Sequence, residues 1–323
     1  MSNFKKIGGR YGMHSGSAKF KNLEVTEGLY WRGTPLVSSI GGKNVTIKFV
    51  DASVSQSGNG DSWDNAYKTI LEATAACRDD YSDDAAYYIF IAPGSYDETE
   101  DIRLYGHGIH LIGLGNPGSD SGVNVSDTNC TNGTFLLAGA NCTIANIKFI
   151  PTQDLPPIFA IAAGNCLISN CHFKGVSGTT TNAIKTMNVR STVIEDCQFG
   201  AAGEDFEVTI YAEGGADQYL IDSVIRNNRI FSNTTGAKGI YLDSQSTLVT
   251  YGCVIDRNHI NLSGAGSTAK GIDSDNTGLV MITDNYVQVD ASATPIESAA
   301  TGGILGNHTD AGGTVVDPNA VAS

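Results

Sequence analysis

"NCTIANIKF" occupies residues 141–149, and "NCLISNCHF" repeats it at residues 165–173. With Cys142 as position zero, both stretches are small or apolar at zero, apolar at two, carry Asn at four or five and a large apolar residue at seven. The frame recurs from Thr192, Ser223, Cys253 and Val280, so the steps from Cys142 onward are 24, 26, 31, 30 and 27 residues. Apolar residues at zero and two point to one side of a strand, because side chains alternate, and the isoleucines at position two suit a strand. A second mark keeps the same period: Ala-Ile at 160 and 183, Thr-Ile at 209, and Gly-Ile at 239, 271 and 303. One copy is too short to bury its own apolar face, so the copies must stack into a continuous core, about 4.8 Å from coil to coil. The spacing predicts an all-β chain folded as a single-stranded parallel β-helix of seven or eight coils, right-handed because parallel crossovers take that hand.

The remaining sequence sets the boundaries. The chain has 323 residues, 41% of them hydrophobic, and 34 acidic side chains against 20 Lys and Arg, a net charge of −14. Residues 1–22 carry five cations and no acid, a basic Gly-rich arm ahead of an acidic body. Residues 23–48 read as a small β-rich attachment segment, with a hairpin expected from Leu23/Val25 and Leu29/Trp31 about the Glu-Gly pair at 27–28. Residues 49–84 read as a connecting strand and a capping helix. Tyr67, Ile70, Leu71 and Thr74 share one helical face behind Ser62 or Asp64 as N-cap, which predicts a helix at 64–78 that plugs the open end of the coils. Residues 85–323 read as the β-helix with a short C-terminal tail.

The acidic body argues against nucleic-acid binding, and no apolar run reaches membrane-spanning length. The first residues lack the apolar segment of a secretion signal, so folding in a cytoplasm is expected. Seven cysteines without a C-x-x-C pair predict buried thiols rather than a disulfide framework or a zinc ribbon. No cofactor is expected.

Asn146, Asn170, Asp196, Asn227, Asn258 and Asn285 stand at position four or five of successive copies. Asn and Asp tolerate the left-handed backbone of tight corners and can bond to a neighbouring coil, which predicts a structural ladder. Phe149, Phe173 and Phe199 should stack inside.

Chemistry is expected on the outer face of the second mark. If Ile184, Ile210, Ile240, Ile272 and Ile304 point inward, Lys185, Tyr211, Tyr241, Asp273 and Leu305 point outward, followed by Met187, Glu213, Asp243, Asp275 and Asn307. Tyr211, Tyr241, Lys185 and Asn307 are the candidate ligand-binding residues, since sugar rings stack on aromatic faces. Glu213, Asp243, Asp273 and Asp275 are the candidate catalytic acid and base, because carboxylates one or two coils apart match the two glycosidase separations. They serve equally as solvated starts of turns. "DSDNTG" at 273–278 resembles the opening of a calcium loop and makes Asp273, Asp275 and Asp284 a candidate Ca²⁺ set, against which Val280 and Ile282 fit the strand frame.

Between residues 49 and 115 the order "FVDAS", "GNGDSW", "AYKTILEA", "IFIAPGSYDE" and "IHLIGLG" resembles the N-terminal part of the pectin lyase-like right-handed β-helix superfamily, and the coils extend the likeness to about residue 310. The superfamily spans pectate lyases, polygalacturonases, pectin methylesterases and phage tailspikes, so the resemblance implies the fold and leaves the chemistry open. "GHG" at 106–108 is similar to a polygalacturonase motif, but here the acidic column follows it, and His107 reads as a turn residue. "FKNLEVTEGLYWRGTPL" at 20–36 is similar to connecting regions of phage tail and virion appendage proteins. That likeness implies a structural virion protein, tailspike-like or capsid-decorating, assembled in the host cytoplasm and located on the virion. Implied with it are a homotrimer, attachment to other virion proteins through residues 1–48, and binding of cell-surface polysaccharide by an outward face. The alternative is a polysaccharide hydrolase or lyase using the carboxylates named above.

Overall fold

The computed structural model describes residues 30–31, 34–35, 44–79, 85–106, 108–175, 182–200, 205–213, 220–243, 252–275, 278–299, 302–311 and 314–316. Residues 1–43 and 44–323 are two separate units. In the first, Tyr30–Trp31 pairs antiparallel with Thr34–Pro35. The pairing thus brackets the Arg-Gly pair at 32–33, not the expected Glu-Gly pair; the basic arm, Leu23, Val25 and Leu29 lie outside the described residues.

The second unit is the parallel β-helix. Its first sheet has ten strands, from Asn44–Val50 and Ala85–Ile91 through Thr143–Ala145 to Ile304–Leu305. A second sheet of ten runs from Gly94–Glu98 through Ile147–Phe149 to Thr314–Val316, and a third of eight runs from Ile102–Leu104 to Thr294–Ser298. The ten rungs of the first sheet exceed the seven or eight coils expected, because three of its strands precede the sequence repeat. Asn44–Val50, expected partly within the attachment segment, is the first of these rungs, pairing in parallel with Ala85–Ile91.

Two columns of left-handed residues explain why the opening stretch is written twice. Position four holds Asn146, Asn170, Asp196, Asn227, Arg257, Asp284 and Gly306, with φ between 49° and 65°. Just before position zero stand Asn141, Asn165, Ser191, Asp222 and Gly252, also left-handed. The five first-sheet strands from Thr143–Ala145 to Cys253–Asp256 are therefore bracketed by corners, and Asn, Asp and Gly accept them at least cost.

Position five is a different column. There Asn228, Asn258, Asn285 and Asn307 each donate Nδ2 to the carbonyl of Ile194, Ile225, Ile255 and Ile282 on the preceding coil, at 2.8–3.0 Å. Each Oδ1 accepts a main-chain N–H from that coil: Cys197, Asn228, Asn258 and Asn285 respectively, at 2.9–3.1 Å. The ladder expected from one mixed set thus divides: Asn146, Asn170, Asp196 and Asn227 are corners, and Asn258 and Asn285 are the internal ladder with Asn228 and Asn307. Earlier coils fill position five with Cys171 and Cys197, whose thiols reach the equivalent carbonyls of Ile144 and Ile168 at 3.7 and 3.8 Å. All seven cysteines are buried as thiols. Phe149, Phe173 and Phe199 stack in the core at 4.8 and 4.7 Å, almost parallel, as expected from their column.

The helix is shorter than its sequence signal. A 3-10 turn at Trp63–Asn65 follows Ser62, and the α-helix spans Ile70–Asp79. Thr69 and Glu72 form a capping box: Glu72 N–H bonds to Thr69 Oγ1, and Thr69 N–H to Glu72 Oε2. Tyr67 instead bridges Val50 as an extension of the first sheet. Ile70, Ala73 and Cys77 enter the core cluster, so the helix does cover the end of the coils. Glu98, 1% exposed, accepts the Ile70 and Leu71 N–H groups at 2.8 and 3.3 Å. Burial pushes its carboxyl up to about 7, more than those two hydrogen bonds pull it down.

Two outcomes are expected. Asn258→Ala strands the buried Ile225 carbonyl and Asn228 N–H of the preceding coil and should cost roughly 2–4 kcal/mol in denaturant unfolding. Asn227→Ala, only a corner change, should cost about 1 kcal/mol. Glu98 binds a proton more tightly folded than unfolded, so its contribution is full below about pH 4.3 and is lost as pH rises through about 7. His110, held down to about 4 by burial, titrates through the same window with the opposite sign. The readout is therefore the difference between wild-type and Glu98→Gln stability curves, expected to change by on the order of 3 kcal/mol across that window.

Candidate functional site

On the third sheet the parallel register places Ile184, Ile210, Ile240 and Ile272 in one inward column, and Lys185, Tyr211, Tyr241 and Asp273 beside it in an outward one. The column ends at Ile296 and Glu297, opposite Ile272 and Asp273. Ile304, expected here, pairs with Ile282 in the first sheet. Asn307 is consequently not a surface ligand-binding residue but the last member of the internal ladder, 7% exposed. At the other end Ile158, not Ile161, stands opposite Ile184.

The outward residues are tied from coil to coil along two repeating diagonals. In the first, Lys185 Nζ meets Glu213 Oε1, the Tyr211 hydroxyl donates to Asp243 Oδ2, and the Tyr241 hydroxyl donates to Asp275 Oδ2, each at 2.9 Å. In the second, Lys238 Nζ meets Asp273 Oδ2 at 2.6 Å and Lys270 Nζ meets Glu297 Oε2 at 2.9 Å. Lys270 also lies 3.1 Å from Asp273 Oδ2. Asp273, expected to be outward and open, is fully buried beneath these two lysines and is held by charge rather than by well-directed hydrogen bonds. Burial alone would lower the Lys270 pKa, but Glu297 and Asp273 outweigh it and the pKa is raised. Lys238, Lys270 and Glu297 were missed in the candidate set, although "KGI" at both 238 and 270 carries the signal.

The two tyrosine rings stack on each other at 5.5 Å and 13°. Lys238 Nζ lies 3.3 Å from the Tyr241 ring centre, and Lys185 Nζ 5.9 Å from that of Tyr211. Ring faces pointing along the helix axis and covered by neighbours are not a platform for a sugar; the pair presents edges. Burial raises both phenol pKa values, and the hydrogen-bonded carboxylates raise them further.

Asp273, Asp275 and Glu297 bring carboxylate oxygens within 4.8 Å of one another. Asp284, the third member of the expected Ca²⁺ set, is instead a left-handed corner after the first-sheet strand Val280–Thr283. Two ammonium groups already offset two of the three carboxylate charges, which disfavours a divalent cation there. His107 lies outside the described residues. No helix among the described residues is long and apolar enough to cross a membrane.

Residues 107–287 match the family described as right handed beta helix region. No curated protein sequence matches the chain. Among solved structures, a pectate lyase of a Bacillus species in complex with trigalacturonate aligns with a TM-score of 0.51 and 11% identity over 84% of each chain. Pectin methylesterase from carrot aligns at 0.49 and 16% over 86% of each. The Streptococcus pneumoniae surface protein and adhesin PfbA aligns at 0.44 and 13% over 74% of this chain and 92% of its own. At such identities the pectate lyase likeness is one of fold. With parallel rungs in all three sheets up to a last antiparallel pair, left-handed corners and a family match over more than half its length, the chain belongs to the right-handed β-helix family.

Proposed function

We propose that this protein is a non-hydrolytic β-helical appendage of a virion, tailspike-like or capsid-decorating, whose coils bind cell-surface polysaccharide. One observation carries the reading against catalysis: Glu213, Asp243, Asp273 and Asp275 each hold a partner on a neighbouring coil. A general acid or base must reach the scissile bond, and a nucleophile must approach it unencumbered. These carboxylates instead repeat the same diagonal tie, which is what a rigid shaft needs. The similarity of residues 20–36 to virion connecting regions supports the location, with assembly in a host cytoplasm. Since Asn44–Val50 belongs to the coils, attachment to other virion proteins falls to residues 1–43.

A homotrimer completes the reading. Leu167, Val193, Val224, Val254 and Met281 stand in register on the outer face of the first sheet, and Met281 is 42% exposed. An apolar column along several rungs is a surface that soluble monomers rarely leave open.

Three results test this. Asp243→Asn should leave polysaccharide intact, as the wild type does; reducing-end release by the wild type, abolished in the variant, would replace the reading with the hydrolase or lyase alternative. Tyr241→Ala should lower stability by about 1–2 kcal/mol, through lost stacking and a lost hydrogen bond, without weakening glycan binding. Val224→Glu should shift sedimentation from trimer to monomer, and the protein should be found in purified particles; a wild-type monomer absent from particles contradicts the proposal.

A further inference from the structure

The second sheet carries an outward column of opposite character. His172, Gln198, Arg229, His259, Tyr286 and His308 stand in register on successive rungs. In a chain with 34 acidic residues, this column has none, and it holds three of the six histidines. Arg229 is exposed and makes no ion pair among the described residues, whereas Arg226, Lys185, Lys238 and Lys270 are all paired. The rings brace one another: His259 and Tyr286 meet edge to face at 4.8 Å, and Tyr286 stacks on His308 at 5.1 Å.

Beside this column lies a hollow of about 340 Å³, lined by Gln198, Gly200, Arg229, Phe231, His259 and Asn261. Gly200 stands at the rung position where Phe231 and Asn261 follow. Asp310, at the far end of that neighbouring column, already has its own partner. Among the described residues, what faces the hollow is thus a guanidinium outside any ion pair, the His259 imidazole, two carboxamides and the Phe231 ring.

We infer that this groove binds an acidic glycan, a linear polysaccharide bearing carboxylate or sulfate groups. Arg229 supplies the forked cation that pairs with either anion. Gln198 offers a donor and an acceptor to sugar hydroxyls, Asn261 offers its amide N–H while Ser263 occupies its Oδ1, and Phe231 offers apolar surface to ring C–H groups. The rungs rise along the groove, so a chain lying in it meets a carboxamide, the guanidinium and an imidazole on consecutive coils. The inference rests on the glycan-binding reading above and names its site and ligand class.

The test is calorimetric titration of the full chain with polygalacturonate, dextran sulfate and neutral dextran, at low and at 150 mM salt. Binding of one anionic polymer is expected, weakened by salt. Carboxylate and sulfate preference separates the two polymers. Arg229→Gln should weaken binding roughly tenfold or more. Gln198→Glu, which adds a negative charge at an exposed position, should do the same, with melting temperatures unchanged. Arg226→Gln, which removes an equal charge from the first sheet, should have little effect. The inference is overturned if Arg226→Gln weakens binding as much as Arg229→Gln, if polyglutamate binds as tightly as the glycans, or if neutral dextran binds equally well. In that last case the appendage reading survives without this groove. If the polymer is bound through Arg229 and also cut, the groove stands and the non-hydrolytic reading falls.

Discussion

In-register parallel stacking is the constraint from which the rest of this molecule follows. Once each coil must land one rung above the last, a residue no longer acts alone; it joins a column whose members share one neighbour above and one below. The column then selects for what can be repeated. Corners select Asn, Asp and Gly because the left-handed backbone is cheapest for them. Position five selects a side chain able to donate to the carbonyl of the coil before, which an amide does at 2.8–3.0 Å and a thiol more loosely at 3.7–3.8 Å. Cys171 and Cys197 are thus weaker versions of the asparagines.

The same constraint distributes charge by face. The third sheet gathers Glu213, Asp243, Asp273, Asp275 and Glu297 and joins them to lysines and tyrosines of adjacent coils. Exposed ties of this kind are individually weak, but here each repeats along a diagonal and is partly screened from water by the next. The second sheet carries donors and rings, with Arg229 outside any ion pair among the described residues, and the first carries an apolar column. One triangular coil therefore presents three unlike surfaces, and function is a question of which face meets which partner.

The N-terminal end shows the cost of the architecture. An open stack exposes both its core and its main-chain groups. The helix Ile70–Asp79 covers that core with Ile70, Ala73 and Cys77, but it brings unpaired N–H groups into a buried place. Glu98 answers them from the second sheet, at the expense of burying a carboxyl group.

The fold was legible because its signals are local and repeat: Cys142, Ile144, Asn146 and Phe149 set a frame that Cys166, Ile168, Asn170 and Phe173 restate, and a strand's alternation reveals which side each faces. Most of the candidate surface was legible for the same reason, since Tyr211 follows Ile210 and Tyr241 follows Ile240. Two features were not. Asn227 and Asn228 are adjacent, and only the left-handed φ of the first reveals which is the corner and which the ladder. Gly-Ile at 303 imitates the third-sheet mark, yet Ile304 pairs with Ile282, and the true partner of Ile272 is Ile296 after a proline. Coil length varies from turn to turn, so sequence distance does not say which residues stand one above another. Hydrogen-bonded register does, and it alone decided that the carboxylates are tied, that the tyrosine faces are covered, and that Arg229 stands in one outward column with Gln198 and His259.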